Sequence, residues 1–270
     1  MQRLSRPLRR AVSPRPAPDR STSRLLGPER PAAEGAPRSR DRVWLLDLDN
    51  TLHDSRVHLL PRIDRAMTRY MMDHLALDEA AAGSLRRQYW TRFGATLLGL
   101  VRQHQIDPAD FLRRTHQFPD MRALVRRDGR LRRALVRLPG RKILVTNAPH
   151  HYARQVIGLL GVAPLIEAII SIEAMSVAGR LRPKPSRALM HRLVARLRTH
   201  SSRCVMVEDT PANLRSARAA RLSTVLVTGF TDRAPRASGA TTMAGRARIV
   251  DLQVQSVDAL ARSRLRTFFP

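Results

Sequence analysis

Two carboxylates stand two residues apart at the end of an apolar segment in the stretch VWLLDLDNTLH, residues 43–53. Asp47 interrupts the apolar run and Asp49 ends it. A carboxylate can attack a phosphorus atom and form an aspartyl phosphate, and a second carboxylic acid nearby can protonate the leaving oxygen and then activate water. The pair therefore predicts nucleophilic and acid–base chemistry at the end of a buried strand.

Other polar residues follow apolar segments further along the chain. Thr146 and Asn147 end KILVTNA, Glu208 and Asp209 end RCVMVED, and Lys184 comes shortly after EAIISIE. Because ligands of open parallel sheets bind at the carboxyl ends of the strands, we expect these side chains to meet at one edge. A group of buried acids requires a cation, and oxygen ligands are those that Mg²⁺ prefers. Phosphoryl transfer assisted by Mg²⁺ and a lysine is the chemistry that this set favours.

The elements that must position these residues are predicted from the hydrophobic pattern. From residue 138 onward, strands alternate with helices, which is typical of a doubly wound parallel sheet in an α/β fold. Residues 55–137 are continuously helical in pattern, with one helix starting at Asp107 and Pro108, and look like an insertion after the first strand. We therefore predict a core over residues 42–54 and 138–256 with a possible edge strand near 248–252, a helical cap over 55–137 and a C-terminal tail over 257–270.

The N-terminal segment, residues 1–41, contains seven of the 18 prolines, many arginines and no apolar periodicity. Such a segment cannot bury enough apolar surface to offset the entropy of ordering it, so we predict that it is disordered.

The formal net charge of +27 first suggests a nucleic-acid partner. Only two of the 49 basic residues are lysines, however, and the arginines are spread along the whole chain without a helix-turn-helix pattern or zinc-ligand spacing. We therefore expect no specific nucleic-acid partner, and a basic nucleic-acid-binding protein remains the alternative from another functional class. Since no apolar run is long enough to span a bilayer and Cys204 is the only cysteine, we expect a cytoplasmic protein without a membrane partner.

The polar residues, taken in order, resemble the four motifs of the haloacid dehalogenase (HAD) superfamily. The resemblance rests on DLDNT at 47–51, TN at 146–147, Lys184, and the set of Glu208, Asp209 and Asn213. It implies a Rossmann-like core with a helical cap inserted after the first motif, a phosphomonoester substrate and Mg²⁺. It also implies Asp47 as nucleophile and metal ligand, and Asp49 as general acid/base with its backbone carbonyl on the metal.

The resemblance assigns roles to the remaining motif residues as well. Thr146 and the Asn147 amide would hold the phosphoryl oxygens, and Lys184 would neutralise them and orient the nucleophile. Asp209 would bind Mg²⁺ directly, Glu208 would do so directly or through water, and Asn213 is a candidate for supporting this set. Because dehalogenases of the superfamily lack the second acid of DLDNT, Asp49 favours a phosphatase or a phosphomutase over a carbon–halogen hydrolase.

Within the superfamily, the segments DLDNTLH, TNA, RPKP and VEDTPANL resemble the pyrimidine 5′-nucleotidase group. The cap stretch at 89–107 is similar to an aromatic–Gly–x4–Gly–Leu segment of that group, with Phe93 where tyrosine is common. The resemblance implies a substrate such as UMP or CMP; a phosphoglycolate- or sugar-phosphate-type phosphatase and a phosphomutase are the alternatives. Two further residues near these motifs, His53 and Arg92, are interpreted as a solvated loop histidine and part of a solvated helix face. The oligomeric state is left open by the sequence.

Overall fold

The structure, a computed structural model, describes residues 42–230 and 249–263. The predicted disordered segment, residues 1–41, lies outside the described residues. The strands are β1 (Val43–Leu46), β2 (Arg141–Val145), β3 (Ala168–Ile170), β4 (Ser176–Val177), β5 (Arg180–Leu181), β6 (Cys204–Glu208), β7 (Ser223–Val227) and β8 (Leu252–Val254). The helices are α1 (Leu59–Leu75), α2 (Glu79–Phe93), α3 (Thr96–His104), α4 (Pro108–Thr115), α5 (Met121–Leu124), α6 (Gly129–Arg137), α7 (His150–Leu159), α8 (Arg187–Arg196), α9 (Pro211–Ala219) and α10 (Val257–Arg262).

Six strands form one parallel sheet in the order β3-β2-β1-β6-β7-β8. The chain builds β2 and β3 on one side of β1 and then returns to build β6, β7 and β8 on the other. The strand order therefore reverses between β1 and β6, which is the position where doubly wound sheets bind ligands. The α/β class and the Rossmann-like parallel sheet predicted from the sequence are confirmed, and the edge strand lies slightly later than expected, at β8.

The central strand β1 separates two apolar layers. Because successive side chains of a strand point to opposite faces, Trp44 and Leu46 pack into one hydrophobic cluster and Val43 and Leu45 into the other. All four side chains are fully buried, which explains why this strand reads as a continuous apolar run. The small antiparallel pair of β4 and β5 lies apart from this sheet.

The helical insertion between β1 and β2 divides its apolar residues between two clusters. Its central part, from the second half of α1 through α4, builds a cluster of its own around Tyr70, Tyr89 and Phe111. Its last helix, α6, instead packs into the cluster of the sheet through Leu131 and Leu135. The apolar face of α6, inside the predicted cap range 55–137, thus covers the sheet rather than the insertion, and the cap boundary at residue 137 stays a prediction.

The range predicted as a C-terminal tail, residues 257–270, begins with a short helix. Residues 257–262 form α10, in which Val257 and Leu260 are buried in the same cluster as α6. The hydroxyl of Ser256 accepts a hydrogen bond from the N–H of Ala259 and caps the helix. Six residues carry too short a periodic pattern to predict a helix, although this helix contributes to the core.

The joint between α2 and α3 depends on two glycines of the FGATLLGL segment. Gly94 ends α2 with a positive φ of 81°, and a Cβ built on it would lie 2.4 Å from Cδ of Pro185. A Cβ on Gly99 would lie 2.3 Å from Cγ of Tyr89, closer than real Cβ contacts. The helical insertion can therefore approach both the segment that carries Lys184 and its own aromatic core only with glycine at these positions.

We expect Gly99→Ala to destabilise the protein by about 1–3 kcal/mol, because overpacking a tight contact forces neighbouring atoms to move. Urea unfolding followed by circular dichroism measures this change. Gly158 in α7 is the matched control, since a Cβ there meets nothing within 4 Å and Gly158→Ala should stabilise the helix by about 0.5–1 kcal/mol. Equal effects of the two substitutions would contradict the packing argument.

Candidate active site

Asp47 follows β1 directly and is held at the switch in strand order. Its backbone N–H donates to the carbonyl of Val207 at 3.0 Å, which continues the pairing of β1 with β6 by one residue. Its carboxylate oxygen Oδ1 lies 2.6 Å from Nζ of Lys184, and Oδ2 accepts a hydrogen bond from the hydroxyl of Thr51 at 3.2 Å. The side chain is 6% exposed, so its position is fixed from both sides while a small face stays accessible.

Lys184 is the cation of this site. Its ammonium group bonds Asp47 and also Oε2 of Glu208 at 2.8 Å, and the residue is only 1% exposed. Burial on its own would lower the pKa of Lys184, but the two carboxylates raise it above the ordinary lysine value. The lysine is therefore charged at neutral pH and links the end of β1 to the end of β6.

Three carboxylates converge beside this lysine. Oxygen atoms of Asp47, Glu208 and Asp209 lie within 4.8 Å of one another. Burial and the charge of Glu208 raise the pKa of Asp47 to about 7 and the pKa of Asp209 well above its usual range. A single lysine leaves three ionised carboxylates with a net charge of about −2, so a divalent cation would favour their ionised forms. The all-oxygen donor set fits Mg²⁺.

Asp49 lies beside Asp47, and two neighbours hold one of its oxygens. The hydroxyl of Tyr152 donates to Oδ1 at 2.7 Å, and Nε2 of His53 lies 3.1 Å from the same atom. Within the described part of the chain, Oδ2 of Asp49 has no hydrogen-bond partner and is the oxygen left for substrate or water. Burial opposes ionisation, but the contacts with His53 and Tyr152 outweigh it and lower the pKa of Asp49.

His53 is not the solvated loop histidine that we expected. It is 6% exposed, and its backbone pairs with that of Asp49. Both His53 and Thr51 follow the carboxylate that they contact by four residues, so this repeated offset is a signal that the sequence contained. Tyr152 had no such signal, because it lies 103 residues from Asp49 and reaches it only through the pairing of β1 with β2.

A second buried histidine, His116, packs against Tyr152 from the end of α4. The two ring centroids are 5.6 Å apart with the planes nearly perpendicular, and Nδ1 of His116 lies 2.8 Å from the hydroxyl of Thr115. Burial lowers the pKa of His116 to about 4 from the usual 6.5. The imidazole is therefore neutral at physiological pH and forms part of the wall behind Asp49. The sequence analysis did not identify this residue.

We expect His116→Gln to make the protein relatively more stable at pH 5 than at pH 7. As the pH falls from about 6.5 to about 4, the unfolded imidazole takes up a proton that the folded protein cannot accommodate, so the wild type loses stability over this range. Glutamine does not titrate and avoids that loss. Urea unfolding at pH 7, 6 and 5 measures the difference between variant and wild type, and a difference that stays constant with pH would contradict this assignment.

Thr146 and Asn147 end β2 at the same edge of the sheet. The hydroxyl oxygen of Thr146 accepts the N–H of Ala148 at 3.0 Å, which leaves its O–H able to donate to a ligand. The side chain of Asn147 is committed elsewhere: its Nδ2 donates to the carbonyl of Lys184 at 2.8 Å and its Oδ1 accepts the N–H of Lys184 at 3.0 Å. The side chain of Asn147 therefore fixes the lysine segment, and the expected contact of an Asn147 amide with a phosphoryl group stays a prediction.

The residues that follow β6 lie at the same carboxyl edge of the sheet. Thr210 donates its hydroxyl to Oδ1 of Asp209 at 3.1 Å and its backbone N–H to Oε1 of Glu208 at 3.3 Å. Asn213 is buried in the first turn of α9, and its backbone N–H is bonded to the carbonyl of Thr210. The structure thus brings the predicted acids, Lys184 and Thr146 to one edge, whereas Asn213 stays one helical turn beyond Thr210.

Comparisons with known proteins agree with this geometry. The family model of haloacid dehalogenase-like hydrolases matches residues 42–221, which is about two thirds of the chain. The chain therefore belongs to the haloacid dehalogenase-like hydrolases, as the motif resemblance predicted. In the described part of the chain, no helix combines the length and the apolar character that crossing a bilayer requires.

Individual relatives are more distant. Phosphate metabolism protein 8 of Saccharomyces cerevisiae is 26% identical over 138 residues, which cover 47% of this chain and 42% of the yeast protein. The match thus spans less than half the length of that relative. Among solved structures, CbbY from Rhodobacter sphaeroides in complex with phosphate is 18% identical with a TM-score of 0.55, covering 82% of this chain and 96% of CbbY. A HAD phosphatase from Thermococcus onnurineus is 15% identical with a TM-score of 0.50, covering 82% and 95%. These structures support the fold.

Proposed function

We propose that the protein is a Mg²⁺-dependent phosphomonoester hydrolase that works through an aspartyl phosphate on Asp47, and that its substrates are pyrimidine nucleoside 5′-monophosphates such as UMP and CMP. The observation that carries the first part is the environment of Asp47. Both of its oxygens are held, one by Lys184 and one by Thr51, beside a second acid whose outer oxygen is unoccupied in the described part of the chain. Such an arrangement suits nucleophilic attack followed by proton transfer.

The first step forms the covalent intermediate. A carboxylate oxygen of Asp47 attacks phosphorus, the bond from phosphorus to the ester oxygen breaks, and Asp49 donates its proton to that oxygen to release the alcohol. A phosphate dianion beside Asp49 raises the pKa of this carboxyl by like-charge repulsion, which favours the protonated form that the step requires. Lys184 and the hydroxyl of Thr146 stabilise charge on the non-bridging oxygens.

The second step hydrolyses the intermediate. Asp49, now a carboxylate, takes a proton from water, and the resulting hydroxide attacks phosphorus, so that phosphate leaves and the carboxylate of Asp47 is restored. The contacts of Tyr152 and His53 with Oδ1 keep Oδ2 directed at the reacting atoms in both steps. Mg²⁺ bound by Asp47, Asp209 and Glu208, with the backbone carbonyl of Asp49, would supply charge neutralisation for the phosphoryl group.

The nucleotide part of the proposal rests on the resemblance of the cap segment and of the TNA and VEDTPANL motifs to the pyrimidine 5′-nucleotidase group. The helical insertion places Phe93 and Gly94 directly against the segment that carries Lys184. The insertion is therefore in position to cover a substrate bound at Asp47 and to select its leaving group.

Phosphate release from a panel of phosphomonoesters tests both parts of the proposal. We expect Mg²⁺-dependent hydrolysis, abolished by a chelator, with kcat/KM for UMP and CMP about ten-fold or more above that for AMP and phosphoglycolate, since a differential contact of about 1.4 kcal/mol gives this ratio. A panel without such a preference would reject the nucleotide part only. The absence of metal-dependent phosphate release from every substrate would reject the hydrolase mechanism, and intramolecular phosphate migration without release would indicate a phosphomutase.

A further inference from the structure

A cavity of about 180 Å³ lies between the helical insertion and the segment that carries Lys184. On the side of the insertion, its walls come from the end of α2 and from α3; on the other side, from residues 182–186. The residues that line it are Arg92, Phe93, Leu98, Arg102, Arg182, Pro183, Pro185 and Ser186. The cavity is formed by the RPKP segment and the cap stretch at 89–107, and none of the acids of the candidate active site lines it.

Three arginines concentrate positive charge in this cavity. Within the described residues, none of Arg92, Arg102 and Arg182 has a carboxylate within 4 Å, whereas Arg86 and Arg141 each hold one at 2.6 Å. The guanidinium carbons of Arg92 and Arg102 lie 5.2 and 5.3 Å from the ring centroid of Phe93. The aromatic ring thus gathers two guanidinium groups without neutralising them. Arg92 is exposed, as we expected for a solvated helix face, and it also lines this cavity, as do the exposed Arg102 and Arg182.

The cavity lies next to the chain segment that carries Lys184. Pro183 and Pro185 lie in the cavity wall on either side of this lysine in the chain, and its ammonium group contacts Asp47. The cavity wall and the lysine that contacts the nucleophile thus belong to the same short segment, residues 182–186. The two hydrogen bonds of Asn147 to the backbone of Lys184 fix this wall relative to the catalytic edge.

We propose that this cavity binds a second anionic group of the substrate, a phosphate or carboxylate several bonds from the phosphate that is hydrolysed. This inference rests on the proposed function and narrows the substrate to phosphomonoesters that carry a further anion. Guanidinium groups match phosphate and carboxylate oxygens in pairs, and the ring of Phe93 is already approached by two of them. The cavity therefore recognises charge rather than an aromatic base.

A matched pair of substrates tests the inference: UMP and uridine 3′,5′-bisphosphate share the 5′-phosphate and differ by one anionic group. We expect kcat/KM for 5′-dephosphorylation of the bisphosphate to exceed kcat/KM for UMP by about ten-fold or more, because one charge-assisted hydrogen bond is strong enough to give this ratio. Mass spectrometry of the product identifies which phosphate is removed. Arg102→Ala and Arg182→Ala should each reduce this ratio to about two-fold or less. Arg132→Ala, an exposed arginine of α6, is the charge-matched control and should leave the ratio and the activity unchanged.

Binding separates this inference from the proposed function. Calorimetric titration of the Asp47→Asn variant, with and without Arg102→Ala, measures the affinity for the two nucleotides without turnover. Tighter binding of the bisphosphate that disappears with Arg102→Ala supports the anion site even if the wild type releases no phosphate. Equal affinities for the two nucleotides, or a preference that survives Arg102→Ala and Arg182→Ala, would overturn it.

Discussion

Replacing Asp47 by Asn should abolish the proposed Mg²⁺-dependent phosphate release, with an expected loss in kcat of about 10⁴-fold or more, because the amide cannot form the aspartyl phosphate. The substitution keeps the size of the side chain and one oxygen for Thr51 or Lys184. Lys184 also retains its contact with Glu208 at 2.8 Å, so the lysine is not left unpaired. The folded structure should therefore persist, and the loss should be chemical rather than structural.

The measurement is phosphate release under saturating substrate, with the thermal midpoint of each variant recorded in parallel. Asp54→Asn is the matched control, since Asp54 lies seven residues later and bonds only Arg56 at the surface among the described residues. We expect near wild-type turnover from this control. Turnover by Asp47→Asn within about ten-fold of the wild type, in protein free of host phosphatase, would refute the nucleophile assignment.

Local signals in the sequence predicted part of this fold well. Asp107 and Pro108 predict the start of a helix, and α4 indeed begins at Pro108 with the carboxylate of Asp107 accepting the N–H of Ala109. The carboxyl ends of β1, β2 and β6 meet as the parallel topology requires, so the strand ends alone predicted that their polar residues lie at one edge, whereas the roles of these residues came from the family resemblance and stay predictions. These predictions succeeded because each depends on residues adjacent in the chain or on a general rule of parallel sheets.

The partners of Asp49 could not be predicted in this way. Tyr152 and His116 come from α7 and from the end of α4, and only the packing of the insertion against the sheet brings them together. The position of α6 could not be predicted either, because its apolar face fits the insertion as well as the sheet. In the structure, α6 and α10 pack into the same hydrophobic cluster of the sheet. Amphipathic patterns identify a buried face but not the surface that buries it.

Asp47 and Asp49, at the end of β1, differ in their neighbours and in the direction of their pKa shifts, and this difference bears on the class of reaction. Asp47 is held by a lysine and has a raised pKa, whereas Asp49 is held on one oxygen by Tyr152 and His53 and has a lowered pKa. A group that must alternate between acid and base benefits from a fixed orientation with one free oxygen. This asymmetry supports the proposed role of Asp49 as the proton carrier of a phosphatase.

Lys184→Met is expected to be the most damaging single change in both activity and stability. The methionine fills a similar volume but leaves Asp47, Glu208 and Asp209 without a cation, and breaking a buried ion pair by removing one partner costs about 3–5 kcal/mol. Because Mg²⁺ would bind the same carboxylates only in the folded state, it should restore part of this stability. Phosphate release should still fall by about 10²–10³-fold, since a donor to the transferred group is missing.

Urea unfolding with and without Mg²⁺ measures the stability of Lys184→Met. Lys142→Met is the matched control, because Lys142 is the other lysine of the chain and its side chain bonds only the carbonyl of Gly140 among the residues that the structure describes. The control should lose no more than about 1 kcal/mol. The double variant Lys184→Met/Glu208→Gln removes one carboxylate together with the ammonium group, so it should be more stable than Lys184→Met in metal-free buffer. If the double variant were no more stable than the single one, repulsion among the carboxylates could not be what Lys184 relieves.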